Sequence, residues 1–190
     1  MIPGIDRIEK KVVGLERGRD VAMQISRDLI RTAGKAIALM HASGPAKASE
    51  MIKDLMVLKV RLEASEKGFE YYTLQAHQEY SEALILHGIL LKRRIPTMDQ
   101  IKEGEVAYLL GLMDVIGELK REAIESLRKG KNADAKLYYV MMSDIYDSTL
   151  HMRFANSILP DFRRKQDSAR IQLESVMNEM LHLELRHNNV

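Results

Sequence analysis

The sequence contains no cysteine and no tryptophan, and only three phenylalanines and four prolines. Without cysteine there is no disulfide framework and no thiolate zinc site. With so few large aromatics, a platform for stacking unpaired bases is not evident. Tyr71, Tyr72, Tyr138, Tyr139 and Tyr146 are therefore expected first as core packing. No stretch reaches the roughly 18 apolar residues of a membrane span. The opening MIPGIDRIEKK has no apolar run of the kind a signal peptide carries, so a soluble, cytoplasmic protein without a membrane partner is expected. Nor does charge of one sign dominate: 29 Lys and Arg face 27 Asp and Glu. That balance neither demands nor excludes a nucleic-acid partner, so local clustering has to decide. Positive charge gathers at Lys92-Arg93-Arg94, at 128–131 and at 163–165, and each cluster also suits a solvated helix end.

What is present is helical periodicity. Pro and Gly fall between long runs with apolar residues three and four apart, and no alternating strand pattern, Gly-rich phosphate loop or repeat is found. The spacing predicts helices from about Ile5 to Ala42, Lys47 to Lys67, Phe69 to Arg93, Glu105 to Lys129, Ala133 to Ser157 and Pro160 to Arg186, with a short turn or helix from Thr97 to Lys102. Gly14, Gly18 and Gly34 interrupt the first, which predicts a kink or close packing there. Helices of 20 or more residues span about 30 Å or more. The expected fold is all-α: one domain over 1–190, an elongated antiparallel bundle of about six to seven helices.

Within this pattern, AHQEYSEALILHGIL places Glu79 and Glu82 three apart on a largely apolar helix. At about 100° per residue neither falls on an open face. A buried carboxylate is costly unless it is paired, hydrogen-bonded or metal-bound. Two acids one turn apart can share a cation, or each can pair with a basic residue on a neighbouring helix. In GEVAYLLGLMDVIGELKRE, Asp114 and Glu118 are four apart, on the side away from Leu109, Leu112, Met113, Ile116 and Leu119. That pattern reads as a solvated face with Glu118 paired to Arg121. Gly111 and Gly117 argue the other way, because close approach of another backbone compensates for glycine inside a helix. If the two faces meet, four carboxylates converge, and oxygen-only ligation suits Mg²⁺ or Mn²⁺. Such a site can activate water against a phosphodiester.

QEYSEAL, RRIPTMDQI and YLLGLMDVIGELKRE, in that order, resemble the translin family, in particular its TRAX (translin-associated factor X) branch. Weaker likeness extends to SRDLIRTAGKAIALMH, DIYDSTLHM and DFRRKQDSARIQLESV, and so to nearly the whole chain. The resemblance implies an all-α bundle assembling into a hollow, octamer-like shell, and Mg²⁺-dependent endoribonuclease activity with the acids facing inward. It implies that Glu79, Glu82 and Asp114 are the catalytic and metal-binding acids, with Glu118 alongside. It further implies RNA, single-stranded or short duplex, as substrate, and single-stranded DNA as a second ligand. The partner is then another copy of the chain or a translin-like subunit. The chain departs from the branch in its short RRIPTMDQIKEGEVAYLL connection and in Ala107 before YLLG, where the branch has an acid. The alternative is a translin-type oligomer that binds single-stranded nucleic acid without cutting it.

The remaining candidates are weaker. Arg121 is placed to orient Glu118 or to meet a phosphate, or to form an ordinary helix ion pair. Lys92, Arg93 and Arg94 are candidate phosphate contacts, which give salt-sensitive affinity with little sequence preference. His77 points about 160° away from Glu79, and His87 is expected in a hydrogen-bonded packing role. Glu179–His182 and Glu184–His187 both fit E-x-x-H, but di-iron bundles need such motifs on different helices, and these share one.

Overall fold

A computed structural model describes residues 3–188, apart from the side chains of 184 and 186–188. The described residues form seven helices and no strand: α1 (Ile5–Ser43), α2 (Pro45–Ser65), α3 (Glu70–Lys92), α4 (Met98–Ile101), α5 (Glu105–Arg128), α6 (Asn132–Thr149) and α7 (Phe162–Asn188). The all-α bundle expected from periodicity is the observed architecture. Its centre is the pair α3 and α5: α1 and α2 pack on α3, while α6 and α7 pack on α5.

Local chemistry sets the helix ends. Gly44, at φ 87°, is the whole connection between α1 and α2. Its N–H donates to the Met40 carbonyl, and Pro45 opens α2 where a missing N–H costs nothing. Thr97 and Gln100 form a capping box: the Gln100 N–H donates to the Thr97 hydroxyl, and the Thr97 N–H donates to the Gln100 side chain. Two boundaries differ from expectation. α6 ends at Thr149, not near Ser157, because Gln166 from α7 donates its amide to the Thr149 carbonyl at 2.7 Å and so takes the place of the next helical turn. Residues 150–161 then cross the bundle end without helix, and α7 begins at Phe162 after Asp161 in a left-handed conformation.

α1 runs uninterrupted through its three interior glycines. An added Cβ at Gly14 or Gly34 would meet nothing within 4 Å, and one at Gly18 would only touch the Phe69 ring at 3.5 Å. These glycines are not contact points. Burial on α1 starts at Ala22, and the earlier apolar residues Ile8, Val12 and Leu15 are exposed.

α3 is buried nearly all round from Tyr80 to Leu86, as a central helix must be. It meets α5 most closely at Gly111. A Cβ there would lie 2.6 Å from the Ser81 Cβ, 2.8 Å from the Gln78 carbonyl oxygen and 2.8 Å from the Glu82 nitrogen. Two of those three atoms are backbone and cannot rotate away. The contact is tight enough to leave the buried Ser81 hydroxyl without a hydrogen-bond partner.

Two glycine substitutions on interior helical positions should therefore differ in sign. Gly111→Ala is expected to destabilise by about 1–3 kcal/mol, since overpacking outweighs the gain of about 1 kcal/mol in helix propensity. Gly34→Ala, into open space, is expected to be neutral or stabilising by up to about 1 kcal/mol. Urea unfolding of both variants measures the difference, and equal stabilities would contradict the contact.

Candidate functional site

The Gly111 contact fixes where the acids go. Gln78, Ser81 and Glu82 surround Gly111, so Glu79 and Glu82 lie on the turns of α3 that α5 touches. Asp114 follows Gly111 by one turn of α5 and Glu118 by another, on the same side. Both side chains are only about a quarter exposed (25 % each). The expectation of a solvated face for Asp114 and Glu118 is therefore corrected. Ala107 and Gly111, which flank them on that side, are buried against neighbouring helices. The misreading has a simple cause: glycine adds nothing to an apolar stripe, yet here it marks the tightest approach.

The four carboxylates share one electrostatic environment. Glu82 is buried, with its pKa pushed up to about 8 by desolvation and by the charges of Asp114, Glu79 and Glu118, against a smaller opposing pull from Lys165. The Glu79 pKa is also raised, by burial and by Asp114, while Lys165 and a hydrogen bond from Gln75 oppose the shift. No basic residue pairs with Glu82 among the described residues; the local cation, Lys165 of α7, forms its ion pair with Asp114. Gln78 donates to the other oxygen of Asp114 at 2.5 Å. The sequence thus placed the acids but missed Lys165 and Gln78. Both lie inside recognisable segments, and the missing signal was which helix faces Asp114.

Glu118 has a different partner from the one expected. His41, at the end of α1, bridges Glu118 through Nε2 and Glu122 through Nδ1, the latter at 2.5 Å. Burial alone would lower the His41 pKa, but the hydrogen bonds and charges of both carboxylates raise it to about 9. Glu118 is correspondingly held below the usual carboxylate range, first by the hydrogen bond from His41. Arg121 is exposed and makes no ion pair with Glu118; its charge adds a smaller lowering. The i, i+4 spacing of Glu118 and Glu122 was the available sequence clue to a shared cation.

The remaining candidates lie elsewhere. Lys92, Arg93 and Arg94 end α3 and are exposed, roughly 20 Å along the axis from Glu79. Arg93 is engaged with Asp134 at 3.1 Å and the Tyr138 hydroxyl at 2.9 Å, which ties α3 to α6. His77 is buried between Glu66 and Glu103, at 3.0 Å from each, and His87 contacts the Pro45 carbonyl and the Ser49 hydroxyl, a packing role. Tyr138 is buried as expected, but Tyr71 and Tyr72 are exposed, so core packing does not account for them. Glu179 and His182 are exposed on α7, and the side chains of Glu184 and His187 lie outside the described residues.

The donor chemistry of Glu79, Glu82, Asp114 and Glu118 fits a hard divalent cation: all oxygen, from two helices, with more negative charge than Lys165 neutralises. Their orientation is not that of a preformed cage. Among the described residues no group of three or more His, Asp or Glu side chains stands ready to hold one ion. Asp114 already accepts from Lys165 on one oxygen and from Gln78 on the other.

These groups make stability fall as pH rises, Glu82 over the acidic-to-neutral range and His41 from near neutral to about 9. Glu82 holds its proton in the folded state up to about pH 8 but loses it near its ordinary value when unfolded, so stability declines as pH rises between those two values. The His41 contribution is complete below the ordinary imidazole pKa and is lost as pH rises through about 9. The slope from either group is at most about 1.4 kcal/mol per pH unit. In urea unfolding, Glu82→Gln should be more stable than wild type at about pH 8 and nearly equal to it at about pH 4. Parallel stability–pH curves for the two proteins would refute the burial of an uncompensated charge at Glu82.

No helix among the described residues is long and apolar enough to cross a membrane. The Translin family profile matches residues 18–187. An uncharacterised protein of Methanocaldococcus jannaschii is 32 % identical over 174 residues, covering 86 % of this chain and 75 % of that protein. Three solved structures share the fold. A structure of AfC3PO in complex with duplex RNA aligns at TM-score 0.88 and 23 % identity, over 98 % of this chain and 99 % of that one. The crystal structure of apo-NeC3PO aligns at 0.86 and 24 %, over 95 % and 97 %. A crystal structure of AfC3PO aligns at 0.86 and 23 %, over 96 % and 97 %. With the family profile spanning almost the whole described bundle, the chain belongs to the translin family.

Proposed function

We propose that this chain is a TRAX-like, Mg²⁺- or Mn²⁺-dependent endoribonuclease that works as a homo-oligomeric shell of octamer type, or together with a translin-like subunit. The observation that carries this reading is the meeting of Glu79 and Glu82 of α3 with Asp114 and Glu118 of α5 near Gly111, where burial and the neighbouring carboxylates push the Glu82 pKa up to about 8. A helix core gains nothing from four acids at one seam unless a ligand uses them. Family membership and the likeness in fold to a protein solved with duplex RNA support RNA as the substrate class.

In this reading Glu79, Glu82 and Asp114 hold the divalent ion, directly or through water, and Glu118 is a further ligand or orients the attacking water. The ion, when bound, supplies activation of water and neutralises charge on the leaving oxygen. His41 holds Glu118 ionised and oriented from behind. Lys165, displaced from Asp114, is left beside the site as a cation for the phosphate. Arg121 and the Lys92–Arg94 cluster serve RNA held further along the surface.

The second reading is a translin-type binding oligomer without catalysis. The Lys165–Asp114 ion pair favours it, since an internal cation there leaves less need for a metal. Cleavage of labelled single-stranded RNA with Mg²⁺, Mn²⁺ or chelator separates the two. Wild type is expected to make metal-dependent internal cuts. Glu79→Gln, Glu82→Gln and Asp114→Asn should each lose at least about 100-fold, on the order of 2.7 kcal/mol of barrier, while still binding RNA. Binding without metal-dependent cutting selects the second reading, and equal cutting by wild type and all three variants rejects the acids.

A further inference from the structure

Tyr71 and Tyr72 open α3, and they are exposed by 83 % and 54 %. Exposed tyrosine side by side is unusual in a chain whose other large aromatics are few, and neither ring belongs to the core. The two rings stand edge to face, with centroids 5.6 Å apart and planes at 83°. That arrangement leaves a face of Tyr71 available to a third flat ring. The Arg19 guanidinium of α1 lies 5.8 Å from the centre of Tyr72, so the pair is held from behind by a cation.

The tyrosines line one open cleft with Gln78, Asp161, Arg164 and Lys165. Two of those residues, Gln78 and Lys165, are the groups bonded to Asp114. The cleft therefore adjoins the acid site through these two side chains. On α3, Tyr71, Gln75, Gln78 and Glu82 follow one another at four, three and four residues, along a single face. Tyr72 is roughly 10 Å along the helix axis from Glu79, the reach of a short run of nucleotides. The cleft wall carries two cations, Arg164 and Lys165, and one acid, Asp161. Its single acid, Asp161, forms only an exposed ion pair with Arg164 at 3.3 Å, weak enough to be exchanged for a phosphate. Glu70, next to Tyr71, accepts from the Gly68 N–H with both carboxylate oxygens.

From this placement we infer that Tyr71 and Tyr72, with Arg164, form a stacking subsite for an unpaired RNA base adjoining the acid cluster. The inference rests on the proposed RNA substrate and deepens it: the site takes an unpaired strand, because a paired base hides its face in the helix. The sugar-phosphate lies along Arg164 and Lys165 towards Asp114. Sequence preference at this position is weak, since every base offers a ring face.

The test is equilibrium binding in chelator, so that cutting plays no part. The probes are a fluorescent single-stranded oligouridine and an oligomer of equal length and charge with abasic sites. Tyr71→Ala is expected to weaken oligouridine binding about 5- to 100-fold, with Tyr71→Phe retaining it and the abasic oligomer unaffected by either change. The mass of the assembly, by light scattering, should be the same for all three proteins. Unchanged oligouridine affinity in Tyr71→Ala overturns the subsite. Equal loss on the abasic oligomer also overturns it, since the effect is then not stacking. A change of assembly mass assigns the tyrosines to a contact with a second copy instead. Base-dependent binding without metal-dependent cleavage leaves the subsite standing and removes the nuclease. Cleavage without base-dependent binding does the reverse, and a wild type that binds neither oligomer removes both.

Discussion

The contact between the backbones of α3 and α5 is the constraint on which the site depends. Helix axes normally stay 8–10 Å apart because side chains intervene. At Gly111 there is no side chain, and α5 settles against the Gln78–Glu82 turn of α3. The acids of both helices sit beside that point of closest approach. Carboxylates that would each find water on a separate helix are pressed into one another's field, and Glu82 gives up its charge up to about pH 8. The orphaned Ser81 hydroxyl in the same contact indicates that close packing prevails over polar satisfaction here.

Around that seam the bundle supplies positive charge from two directions. His41 arrives from the end of α1 and ties Glu118 to Glu122. Lys165 arrives from the first turn of α7 and pairs with Asp114. Lys165 pairs with one acid of α5 and His41 with two, while Glu79 and Glu82 of α3 have no ion pair of their own among the described residues. The asymmetry has chemical content. Asp114 and Glu118 of α5 are held in ion pairs, whereas burial and neighbouring negative charge raise the pKa of both Glu79 and Glu82 of α3. The ends of the cluster also differ, since Lys165 and Gln78 line the cleft with Tyr71 and Tyr72, and His41 lines a separate one with Glu122 and Arg121.

Much of the fold was legible because long helices with apolar residues three and four apart have few other ways to bury that surface. The helix ends at Gly44, at the Thr97 cap and near Gly130 followed from local chemistry alone. The end of α6 did not, because it is set by Gln166, a residue remote in sequence. The same distinction runs through the site. Burial of Glu82 was legible from its position between Leu86 and Ile89. The burial of Asp114 and Glu118 was not, because a glycine beside them looks like an absence in any pattern of apolar residues and acts as a contact only when a partner helix is known.

By itself the sequence determined the helical class, the approximate element boundaries and the spacing that puts Glu79 over Glu82 and Asp114 over Glu118. Those are properties of a single helix, fixed by 3.6 residues per turn. Only the tertiary structure decided that the two acidic faces meet, that His41 and Lys165 are the cations that reach them, that Arg93 is engaged with α6, and that Tyr71 and Tyr72 stand in solvent. Each depends on which face of one helix packs against which face of another. That choice is made by the summed burial of the whole core, and no short stretch of the chain encodes it.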